Sequence, residues 1–148
     1  VTDRVLVVQQ AYRLNDALPG EHGPLWKWQR GTWLVVERAT GRVRHISLPD
    51  FDSARSQVSW YRDYAAYCGI SEEDGKLYGV VMQLGRRKPL LRKELGPVRA
   101  GGMGCASAWQ RAPARVTFSL GSEVTIFEVR GHAADPSSEE QPKTDENP

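Results

Sequence analysis

Two strand-like runs meet at Glu73-Asp74-Gly75, and this junction constrains the fold more than any other stretch of the chain. The first run covers residues 58–70 and the second residues 76–84. An Asp-Gly pair between such runs signals a β-hairpin, because glycine accepts the positive φ that the turn demands. The same grammar recurs on both sides. Residues 32–38 and 42–48 join through Ala39-Thr40-Gly41, with Val43 and His45 on the opposite face from Arg44 and Ile46. Residues 114–120 and 123–129 pair across Gly121-Ser122, with Val116, Phe118 and Leu120 opposite Arg115, Thr117 and Ser119. That alternation has the strand period of two.

Between these hairpins the reading is coarser. Val5-Leu6-Val7-Val8 suits a strand buried on both faces, and residues 11–14 continue it. Residues 15–24 carry Asn-Asp, Pro-Gly and Gly-Pro signals of a loop. Residues 25–30 alternate as a strand, and Gly31 is expected to interrupt it. Residues 90–95 fit a strand or a helical turn, and residues 96–104, rich in glycine, are expected to form a mobile loop. Together these segments predict an all-β domain over residues 1–131. The expected form is an antiparallel meander of about eight or nine strands, closed as a small barrel or stacked as a compact sandwich.

A chain of 148 residues buries roughly 70% of its unfolded surface and needs no disulfide to fold. Residues 132–148 carry no large apolar side chain and five acidic groups against Lys143. Such a segment cannot offset its ordering entropy, so a disordered acidic tail is expected there. Without it, 19 basic residues face 13 acidic ones, although the whole chain stands at only +2. A body this basic attracts anionic ligands over about 8–10 Å, but the surplus is too ordinary to indicate nucleic acid. No apolar run approaches the roughly 20 residues of a membrane-crossing helix.

Cys68 and Cys105 are the two cysteines. An even count with no Cys-x-x-Cys spacing favours one disulfide, worth about 3–4 kcal/mol for a loop of this length. A bridge implies an oxidising compartment. The chain also opens at Val1 rather than Met, as a trimmed or processed protein would. A periplasmic or secreted location is therefore expected.

No residue pattern specifies catalysis. His22, His45 and His132 lie far apart, and no nucleophile elbow, phosphate-binding loop or zinc-binding helix is present. Neither a metal nor a cofactor is expected. His45 with Asp50 or Asp63 is the best acid–base candidate, which keeps a small hydrolase as an alternative. A structural subunit that associates through an exposed strand edge is another.

The aromatic residues support a third class. Trp26 and Trp28 fall close together, while Trp60, Tyr61, Tyr64 and Tyr67 crowd the central run. If residues 58–70 form one strand, Trp60 and Tyr64 share a face. With Arg62 beside them they would stack on a sugar ring or a planar group, or dock a partner. Trp26, Trp28, Trp60, Tyr64 and Arg62 are accordingly the expected binding residues. Arg86, Arg87, Lys88 and Arg92 form the densest basic patch. The leading expectation is an exported binding or interaction module whose ligand is a glycan, a small molecule or a protein.

Overall fold

The computed structural model describes residues 2–99 and 104–130. The expected tail, His132 and Gly101-Gly102-Met103 lie outside these residues. Among the described residues the ten regular elements are all strands: β1 (Val5–Asn15), β2 (Trp26–Glu37), β3 (Val43–Ile46), β4 (Ser59–Tyr61), β5 (Tyr64–Ile70), β6 (Lys76–Gln83), β7 (Leu91–Pro97), β8 (Cys105–Gln110), β9 (Arg115–Leu120) and β10 (Glu123–Glu128). They form three antiparallel sheets in which neighbours in sequence are neighbours in space: β1-β2-β3, β4-β5-β6-β7 and β8-β9-β10. The result is a compact sandwich-like stack of sheets rather than a closed barrel.

The second sheet is the middle layer, as the residues of β5 and β6 require. Every residue from Tyr64 to Gly69 is buried, because alternate side chains enter two different cores. One face carries Tyr64, Ala66, Cys68, Leu77 and Val81 against Val116, Phe118 and Leu120 of the third sheet. The other carries Ala65, Tyr67, Val80 and Met82 against Leu48, Phe51, Val58 and Trp60. A sheet covered on both sides reads in sequence as a continuous apolar run.

The three expected hairpins form as read. β5 and β6 pair from Ile70↔Leu77 through Tyr64↔Gln83, with Gly75 at φ 66° in the turn. β2 pairs with β3 from Val36↔Val43 to Trp33↔Ile46, and β9 with β10 from Leu120↔Glu123 onward.

Three expectations are corrected. Val5-Leu6-Val7-Val8 is not buried on both faces, because β1 is an edge strand of a sheet covered on one side only, and Leu6 and Val8 are exposed. Residues 58–70 are not one strand, because Arg62-Asp63 turns the chain back and Arg62 takes φ 52°. The hairpin pairs Trp60 with Ala65 and Tyr61 with Tyr64, so Tyr61 and Tyr64 share a face and Trp60 joins Tyr67 on the other. The turn resets the alternation, so side chains before and after it do not keep one phase. Nor does Gly31 end a strand. β1 and β2 pair along their whole length with a bulge between Gln9 and Ala11. There Gly31 leaves room for Tyr12, whose ring lies 2.3 Å from the place of a Cβ. A glycine within a strand here marks a close approach, not a break. Residues 90–95, read as strand or helical turn, lie mostly within β7, and Gly96 and Pro97 belong to that strand as well.

Cys68 and Cys105 stand at disulfide distance, with Cα atoms 6.1 Å apart, and link the second sheet to the third. The Ser107 hydroxyl donates to the carbonyl of Ala66 at 2.9 Å, and Trp109 Nε1 donates to the carbonyl of Ser59 at 2.8 Å. These bonds pin β8 across β4 and β5. Among the described residues, no helix is long and apolar enough to cross a membrane.

Candidate functional site: an aromatic hairpin arm

β1 and β2 are the longest strands, at 11 and 12 residues, and only part of each is covered. Trp33 and Val35 anchor the inner part of β2: Val35 is 5% exposed, and Trp33 meets Phe51 and Trp60 edge-on. Beyond the bulge, every residue of β1 from Ala11 to Asn15 and of β2 from Trp26 to Arg30 is exposed. The pair continues outward as a two-stranded arm.

Antiparallel register decides what each face of the arm presents, since paired residues point the same way. Arg13 pairs with Trp28 and Asn15 with Trp26, which places both tryptophans and Arg13 on one face. The Arg13 guanidinium lies 4.7 Å from the centre of the Trp26 ring, a cation–π contact. Trp28 is 74% exposed and Trp26 51%. Tyr12 pairs with Gln29 and Leu14 with Lys27, so the opposite face also carries two large apolar groups. At the tip, Asn15 Oδ1 accepts hydrogen bonds from the backbone N–H groups of Ala17 and Leu25, and Lys27 pairs with Asp16. Leu18 and Leu25 are exposed there. The local hydrogen bonds hold the loop closed while its apolar side chains remain in water.

The other expected binding residues are elsewhere. Trp60 lies in the core between the first and second sheets, 5.8 Å from Trp33 between ring centres. Tyr64 is 5% exposed, on the opposite face of the second sheet, tilted against Trp109. Arg62 sits in the turn between them, 5.5 Å from the ring of Tyr61. Trp26 and Trp28 are thus together, but Trp60, Tyr64 and Arg62 do not join them. Sequence reasoning missed Arg13 and Tyr12, whose signal lay in the pairing of β1 with β2 rather than in any local motif.

The basic patch also divides. Arg86 and Arg87 follow β6, with Lys88 exposed in the same turn. Arg92 lies in β7, where it pairs with Asp50 at 2.7 Å and covers the ring of Tyr78 at 3.8 Å. The Asp50 contact stabilises the guanidinium charge and moves its pKa further up.

His45 is exposed on β3 and lines a cleft that also holds Asp63. Among the described residues its imidazole makes no hydrogen bond to a carboxylate, Asp50 is engaged by Arg92, and both cysteines are paired. The geometry supplies no assembled acid–base pair at His45. Comparison of the chain with protein families, curated proteins and solved structures gave no match in any of the three. The reading of the site rests on its own geometry.

Proposed function

We propose that this chain is a binding module that docks a protein partner on the outer half of the β1–β2 hairpin, in an oxidising compartment outside the cytoplasm. The observation that carries this reading is Trp28, 74% exposed beside Trp26 and Arg13 on an arm exposed along its whole outer length. Tryptophan, tyrosine and arginine dominate the energetically important positions of protein interfaces. Here all three types occur on one short hairpin.

A protein partner suits the arm better than a glycan. A sugar-stacking site needs one flat aromatic face, whereas Tyr12 and Leu14 make the reverse face apolar as well. Arg13 also stands over one of the two rings that such a platform would use. An arm inserted into a groove would bury both faces. The pair of cysteines at disulfide distance supports the oxidising location.

The test compares immobilised wild-type protein with a Trp26→Ala/Trp28→Ala variant in extracellular fluid from the source organism. A protein retained by the first and lost by the second supports the reading. Identical retained sets contradict it. A parallel glycan array on which only the wild type binds would replace the protein partner with a sugar.

A further inference from the structure

Among the described residues, β1 pairs with β2 alone and forms one edge of the first sheet. β3 reaches no further along β2 than Trp33. Residues 11–15 and 26–30 therefore form a two-stranded ribbon with both faces in water. Two strands are marginal by themselves, and a third is what makes a sheet stable. β1 offers the place for one. It contains no proline and no lysine, the residues that commonly protect an open edge.

The hydrogen bonds at the two ends of β1 fix which residues face that edge. The carbonyl of Arg4 accepts the backbone N–H of Arg38 at 2.8 Å, and the backbone N–H of Asp16 donates to the carbonyl of Leu25 at 2.7 Å. Both ends thus turn an even-numbered residue towards β2. The extra residue of the bulge belongs to β2, where Gly31 and Thr32 stand opposite Gln10 alone, so β1 itself keeps one phase. Backbone bonding alternates along a strand. Val5, Val7, Gln9, Ala11, Arg13 and Asn15 accordingly present their N–H and C=O groups to the open side. The even side chains share a face, on which Tyr12 Oη donates a 3.0 Å hydrogen bond to Gln10 Oε1. Leu6, Val8, Tyr12 and Leu14 are all exposed on it.

We infer that β1 pairs antiparallel with β1 of a second copy, about a two-fold axis at Gln10, so that residues 5–9 of each copy supply the third strand to the arm of the other. With Val5 opposite the second copy's Asn15, the whole strand is paired end to end. Odd residues then meet odd residues, giving about twelve backbone hydrogen bonds. Leu6 meets the second copy's Leu14, and Val8 its Tyr12, at the non-hydrogen-bonded positions where side chains approach most closely. Arg4 forms no ion pair among the described residues and comes opposite Asp16 of the second copy. Arg13 comes opposite Val7, so no like charges face one another. The contact is isologous and closes at two copies. It uses the edge of β1, whereas Trp26 and Trp28 lie on β2, and it does not depend on the docking of another protein.

Sedimentation equilibrium of the full chain from about 1 μM to 1 mM tests the pairing. Wild type should show a monomer–dimer equilibrium within that range. Leu6→Lys/Leu14→Lys sets like charges opposite each other at two places and should weaken the dimer at least about tenfold. Leu6→Lys/Leu14→Glu sets opposite charges there and should dimerise at least about tenfold more tightly than the Lys/Lys variant. Both variants change exposed side chains, so their melting temperatures should agree. By amide hydrogen exchange, Val7, Ala11 and Arg13 should be protected in the wild-type dimer and unprotected in the Lys/Lys variant, while Val8, bonded to β2, is protected in both. A wild-type chain that stays monomeric throughout overturns the inference. So do two variants that dimerise equally, as packing through the apolar face would give, or a dimer in which Val7, Ala11 and Arg13 exchange as fast as in the Lys/Lys variant.

Discussion

Trp33 of the first sheet and Trp60 of the second meet edge to face, their ring centres 5.8 Å apart and their planes inclined at 61°. This contact divides β2 into two functional parts. On the core side of Gly31 the tryptophan holds two sheets together; on the far side Trp26 and Trp28 stand in solvent. One strand therefore carries the same residue type in two roles, separated by a bulge.

The first prediction follows from that division. Trp33→Ala or Trp60→Ala removes half-buried aromatic packing and should cost about 2–3 kcal/mol, somewhat below the range for fully buried rings. Trp28→Ala should stay within about 0.5 kcal/mol of wild type. Urea unfolding of the three variants checks both values, and equal losses at Trp28 and Trp33 would contradict the assignment of the arm.

Gly69 should be intolerant of a side chain. A Cβ there would lie 2.5 Å from the carbonyl oxygen of Asp50, the acceptor for the backbone N–H of Ile70 at 2.8 Å. Gly69→Ala must push this crossing segment off the sheet, at a cost of about 1–3 kcal/mol. Unfolding by denaturant should show the loss; an unchanged midpoint would mean that the segment does not lie there.

The cysteine pair predicts a thiol count. Under denaturing, non-reducing conditions, intact mass after alkylation should show no labelled cysteine, and after reduction Cys68 and Cys105 should both be labelled. Reduction should lower stability by about 3–4 kcal/mol on the chain-entropy argument. Two labelled cysteines without reduction would remove the support for an oxidising compartment.

Tyr67 predicts behaviour at high pH. Its phenol donates a 2.6 Å hydrogen bond to the carbonyl of Pro49, and burial, with a smaller push from the Asp50 carboxylate, raises its pKa above the ordinary 10.0. A raised folded-state value means that the neutral phenol's contribution is fully present below pH 10 and declines as the pH rises further. The melting temperature should therefore fall above about pH 10, and Tyr67→Phe should flatten part of that fall. The same variant should cost about 1 kcal/mol at neutral pH through the lost hydrogen bond. Tyrosinate absorbance followed alongside calorimetry measures both effects.

Much of the fold was legible because its hairpins are local. Glycine turns with alternating flanks specified β5–β6, β2–β3 and β9–β10, and the all-β class follows from them. What failed was phase and continuity. Arg62-Asp63 contains no glycine or proline, so the turn between Trp60 and Tyr64 left no mark in composition and the face assignments crossed it. Gly31 gave the opposite error, a breaker residue used for a close approach by Tyr12. The candidate site was half legible. Trp26 and Trp28 stood out as aromatic residues, whereas Arg13 reaches them only through strand pairing.

The most direct test of the docking arm is the affinity of the captured partner for wild type and for Trp28→Ala, measured beside the melting temperature of each. A loss of thirtyfold or more in affinity, about 2 kcal/mol, with a melting temperature within about 2 °C of wild type, is the predicted result. Unchanged affinity, or loss of binding only together with loss of the fold, would contradict it.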